Sequence, residues 1–138
     1  DDAVRWILEY EANGCDLPAW LGFHPWFPRE LERGGVAELD FKAAKMFERK
    51  DGLPTGKLIT PPSQPWDDCF TELKGMPSIT WEGAARLDID SDVNYWVVYT
   101  EDPDGICVEP QTAPPDAANL GIVGDHYLET LFTFSEGY

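Results

Sequence analysis

Three short stretches carry residue types that can do chemistry. The first is Gly22-Phe23-His24-Pro25-Trp26-Phe27. His24 is one of only two histidines, and Pro25 biases it toward an extended backbone. An imidazole titrates near neutral pH, so His24 is either a general acid or a satisfied structural side chain. The second stretch is Trp66-Asp67-Asp68-Cys69-Phe70. On an extended backbone its two carboxylates point to opposite sides, one toward a ligand and one toward water. The alternative is a turn or a solvated edge. The third is Ile106-Cys107-Val108-Glu109-Pro110-Gln111-Thr112. Here a carboxylate closes an apolar run, either capped by solvent or turned inward with raised proton affinity. Pro110 is expected to halt the strand ladder.

The composition limits what such groups can act on. The 138 residues hold 10 Lys and Arg against 26 Asp and Glu, a formal charge of −16. A phosphate backbone would be repelled, so nucleic acid is excluded as a partner, and anionic membranes are disfavoured. A neutral ligand fits this balance. Cys15, Cys69 and Cys107 form no Cys-x-x-Cys pair, so neither a disulfide framework nor a thiolate metal site is expected. No cofactor and no metal are expected, and the three cysteines read as plain thiols. No apolar run reaches the length of a membrane span and the start is acidic and polar, so the expectation is a cytoplasmic protein.

The elements that must hold these groups read as strands. Twelve Gly and twelve Pro, spread along the chain, leave no room for a long helix. Period-two alternation marks strands at 4–10, 37–42, 79–81, 86–90, 106–109 and 128–134, and 95–99 reads as a central strand, apolar on both faces. Asn13-Gly14 and Pro103-Asp104-Gly105 are turns. Six or seven strands with frequent turns predict an all-β fold, an antiparallel β-sandwich in one domain, 1–138. Segments 22–35 and 50–66 read as long proline-rich loops, and their aromatics suggest a site built on loops over a rigid sandwich.

Taken together, His24-Pro25-Trp26-Phe27, Asp67-x-x-Phe70 and Glu109-Pro110-Gln111-Thr112 followed by Pro115-Asp116-Ala117-Ala118-Asn119 resemble the aldose 1-epimerase (galactose mutarotase) family. The resemblance runs from about Val4 to the C-terminus and matches only the C-terminal half of that family. It implies a galactose mutarotase-like β-sandwich and an isomerase that interconverts the α and β anomers of a free aldose. It implies that His24 protonates the ring oxygen, that Glu109 takes the anomeric proton, and that Asp67 binds sugar hydroxyls, with Asp68 less important. The partner implied is a neutral monosaccharide. Trp26, Phe27, Trp66 and Phe70 are expected to offer flat apolar faces to the sugar. An acid and a base on opposite sides of the ring suffice for this chemistry. The family's N-terminal half, with a histidine and an arginine that hold the sugar, has no counterpart in these residues. A glutamine common in the family's central strand aligns with Val97. Half a sandwich exposes strand edges and an apolar face, so a homodimer is expected. The alternative function is a catalytically inactive carbohydrate-binding half-domain.

Overall fold

In the computed structural model, which describes residues 2–137, eleven strands form two antiparallel sheets and no described residue is helical. In chain order the strands are β1 (Asp2–Tyr10), β2 (Trp26–Pro28), β3 (Glu38–Asp40), β4 (Ala43–Lys50), β5 (Leu53–Ile59), β6 (Asp67–Leu73), β7 (Ser78–Trp81), β8 (Ala85–Asp90), β9 (Tyr95–Tyr99), β10 (Gly105–Gln111) and β11 (His126–Ser135). One sheet runs β1-β11-β8-β7-β3 and the other β2-β10-β9-β6-β4-β5. Among the described residues no helix is long and apolar enough to cross a membrane.

The core lies between the sheets. Ile79, Leu87, Ile89 and Phe132 come from the five-stranded sheet, and Met46, Phe70, Trp96, Val98, Ile106 and Val108 from the six-stranded one. Each set follows the period-two rule, so the intervening residues of β6, β9 and β10 face outward.

The strands expected at 95–99 and, within a few residues, at 4–10, 79–81, 86–90, 106–109 and 128–134 are present. The strand expected at 37–42 is instead a corner. Glu38–Asp40 pairs with β7 in one sheet, and from Ala43 the chain runs as β4 in the other. Both expected long loops contain strands, since β2 lies within 22–35 and β5 within 50–66. Pro54, one of the prolines behind the loop reading, is tolerated because β5 is an edge strand.

Pro110 does not halt the ladder, because it pairs with Trp96 inside β10. Its carbonyl accepts from Phe23 N at 3.2 Å, so its nitrogen also points to the β2 side. The missing N–H therefore removes no bond to β9.

β1 is the long edge of the five-stranded sheet. Val4, Trp6 and Leu8 share the side of Phe132, Thr130 and Leu128 yet stay exposed.

Candidate functional site

The outward face of the six-stranded sheet gathers the chemistry. The ladder registers set Trp26, Cys107, Tyr99 and Asp67 in one row across β2, β10, β9 and β6. The next row is Glu109, Val97 and Cys69. Rows of this kind step by about 4.8 Å per strand, so β10 and β6 are about 9–10 Å apart with β9 between them.

His24 reaches this face because its segment is pinned to β10 on both sides. Gly22 bridges Gln111, Phe23 N donates to Pro110 O, and Trp26 pairs with Cys107. Between these ties His24 sets its Nε2 3.2 Å from Glu109 Oε1. The imidazole stacks on Trp26, with ring centroids 5.9 Å apart and 22° between planes. Trp26 in turn meets the ring of Tyr99 edge-on at 5.8 Å. Gly105 makes room for the indole, since a Cβ there would lie 2.5 Å from a Trp26 ring carbon.

The two partners differ in environment. The His24 side chain is 61% exposed and that of Glu109 only 7%. Burial pushes the Glu109 carboxyl above the usual carboxylate range; His24 and Gln111 pull it back, and the charge of Asp67 raises it further. Gln111 Nε2 stands 3.5 Å from Glu109 Oε2, a long contact made as the Gln111 side chain lies over Gly22. Glu109 is thus sheltered and proton-avid, as one of the two sequence alternatives had it, but on the outer face of the sheet and not in the core.

Asp67 lies on the same face, with its side chain about half exposed. Arg49 of β4 holds it, with Nη1 3.6 Å from Asp67 Oδ2, Nε donating to Asp68 Oδ1 at 3.0 Å and Nη2 donating to the Asp67 carbonyl. Both carboxylates therefore meet one guanidinium rather than parting between ligand and water. Sequence reasoning passed over Arg49, which sits in a charged stretch without a motif. It also passed over Tyr99 and Cys107 as site residues, although counting by twos from Glu109 along β10 reaches Cys107.

The expected aromatic wall shrinks to Trp26. Phe70 is fully buried, packed at 5.1 Å from both Phe41 and Trp66 in the core. Trp66 is buried beside it and donates its Nε1–H to Pro62 O at 2.8 Å. Phe27 pairs with inward-facing Ile106 and leans on Phe132, also on the core side. Phe70 and Trp66 are thus corrected to core positions, and Phe27 to a partly buried place on the core side. His126 opens β11 beside Tyr10, apart from the motifs above.

The one His, Cys and Glu trio close enough to share an ion among the described residues is His24, Cys107 and Glu109, with ligand atoms within 4.8 Å of one another. Burial pushes the thiols of Cys69 and Cys107 up to about 12, so neither is a nucleophile at neutral pH.

The arrangement puts a buried, proton-avid carboxylate and a half-open imidazole side by side, not across a ring from each other. It suits a substrate whose two reacting oxygens are themselves neighbours.

No family model matches the chain, and no curated protein is similar to it in sequence. Solved structures are similar in fold. The galactose 1-epimerase of Lactobacillus acidophilus NCFM superposes with a TM-score of 0.73 at 15% identity, covering 99% of this chain and 54% of that one. A galactose mutarotase-like protein from Clostridium acetobutylicum gives 0.70 at 15% identity, covering 86% and 48%. An aldose epimerase homologue from C. elegans gives 0.58 at 15% identity, covering 99% and 66%. The fold is therefore the galactose mutarotase-like β-sandwich expected from the motifs, and the chain spans between about half and two thirds of the length of these structures.

Proposed function

We propose that this face interconverts the α and β anomers of a free, neutral aldose by general acid–base ring opening. The observation that carries the reading is the 3.2 Å approach of His24 Nε2 to Glu109 Oε1 on a face shared with Asp67. The anomeric oxygen O1 and the ring oxygen O5 are bonded to the same carbon. An acid and a base that are neighbours can therefore serve both at once. Glu109 takes the proton from the O1 hydroxyl while protonated His24 gives one to O5. The C1–O5 bond breaks and C1 becomes an aldehyde. After rotation about C1–C2 the roles reverse and the ring closes on the other face. Positioned groups of this kind contribute about 10²–10⁴-fold each.

The raised proton affinity of Glu109 matches a base that must hold a proton and return it. Trp26 supplies a flat surface for the sugar's C–H side. Asp67, across β9, accepts from its far hydroxyls, and Arg49 fixes that carboxylate in place. No redox or metal step is needed for the proton transfers described.

The test is exchange NMR or polarimetry on glucose and galactose. Acceleration over buffer that disappears in both His24→Ala and Glu109→Gln supports the reading. Rates equal to buffer in the parent chain reject it. Saturable sugar binding without exchange would make this a carbohydrate-binding domain.

A further inference from the structure

The outer face also brings together three ligating atoms of different character. Cys107 and Glu109 are two apart on β10, so their side chains share one face. His24 arrives from the segment that Gly22, Phe23 and Trp26 tie to the same strand. Its nitrogen, the Cys107 sulfur and a Glu109 oxygen all lie within 4.8 Å of one another.

We infer that this trio binds a thiophilic divalent cation of the zinc class through His24 Nε2, Cys107 Sγ and the Glu109 carboxylate. The donor set selects against magnesium and calcium, which require oxygen ligands throughout. One nitrogen, one sulfur and one oxygen suit a tetrahedral ion with a fourth, open position. Bond lengths of about 2.1 Å to nitrogen or oxygen and about 2.3 Å to sulfur set the edges of that tetrahedron near ~3.4 and ~3.6 Å. His24 and Glu109 already stand 3.2 Å apart. No separation in the trio exceeds 4.8 Å, so closing to a tetrahedral edge of about 3.6 Å requires movement of about 1.2 Å or less. The net charge of −16 draws cations toward the surface.

Binding is a simple exchange. The Cys107 S–H bond breaks, an Sγ–metal bond forms, and the proton leaves to solvent with any proton held between His24 and Glu109. No electrons are transferred. A bound cation would take the acid and the base out of proton traffic and so act as a brake. That consequence rests on the proposed function, whereas the binding itself does not.

The experiment is a cobalt(II) titration of the Cys15→Ser chain, which lacks the exposed thiol, followed by absorption. The expected result is a thiolate-to-cobalt charge-transfer band with visible bands of a four-coordinate ion, saturating at a single site and reversed by zinc. Cys107→Ala should lose the charge-transfer band. His24→Ala changes an exposed side chain, keeps the fold by circular dichroism, and should bind cobalt at least about tenfold more weakly. Absence of the band in the Cys15→Ser chain, or an unchanged band and affinity in His24→Ala, overturns the inference. No sugar enters this measurement, so a negative result leaves anomer exchange untouched, and a failure of anomer exchange leaves the titration decisive.

Discussion

Strands β6, β9 and β10 carry two faces, one residue out of phase. The inner one carries Phe70, Trp96, Val98, Ile106 and Val108, apolar and almost fully buried, with Asp68 in register with Val98 where β6 opens. The outer one is Asp67, Cys69, Val97, Tyr99, Cys107 and Glu109, where every side chain except Val97 can hydrogen-bond or ionise. The same backbone serves both, so position along the strand decides whether a residue holds the fold or lies on the candidate site. Burial alone does not separate the two. Glu109 is as hidden as core residues, yet its shelter is built from His24, Gln111 and the tie of the 22–28 segment to β10.

If the faces divide the labour, substitutions on one should leave the property of the other unchanged. The largest effect is expected from Glu109→Gln and His24→Ala, each lowering kcat/KM for anomer exchange by about 10²–10⁴-fold while leaving the circular dichroism of the sheets intact. Phe70→Ala, on the inner face, should cost about 3–5 kcal/mol in urea unfolding. Its kcat/KM should stay within a few-fold below the unfolding transition. Asp67→Ala should weaken sugar binding through a lost charged hydrogen bond worth about 1.5–3 kcal/mol, read as a higher KM at nearly constant kcat. A loss in kcat instead would place Asp67 in the chemistry and blur the division.

A subtler test concerns stability against pH. The folded Glu109 carboxyl is raised above its unfolded value. The folded state therefore favours the protonated form, and its advantage is full below the unfolded pKa. That advantage falls as pH climbs from there to the folded pKa. Glu109→Gln, which cannot ionise, should be as stable as the parent in acid and about 0.5–2 kcal/mol more stable at neutral pH, measured by urea unfolding with a chelator present. The smallest effect is chemical. In the folded chain a disulfide reagent at pH 8 should label Cys15 quickly, whereas Cys69 and Cys107 should react only after unfolding.

The sequence displayed the central strand 95–99 because an unbroken β-prone apolar run stands there, free of breakers. Tyr95–Tyr99 was readable to the residue. β4 was not, since Lys45, Glu48, Arg49 and Lys50 interrupt its apolar pattern. β6 opens on two carboxylates that look like a turn. His24, Asp67 and Glu109 were visible as chemistry through their motifs. The aromatic assignments went astray on parity: Asp67 and Phe70 are three apart on one strand, and Trp26 and Phe27 are one apart, so an odd spacing puts each pair on opposite faces. Arg49 was invisible because only the β4–β6 pairing carries it to Asp67, and a register between strands is not written in local sequence.

Gly105 shows how much of this arrangement depends on an atom that is missing. With a methyl group 2.5 Å from the indole, Trp26 would have to tilt and carry its stacked imidazole with it. A mutational scan should therefore find position 105 intolerant in activity, although the residue offers no functional group. Variants meant to reshape this face would do better to hold that position fixed and vary the rim around it.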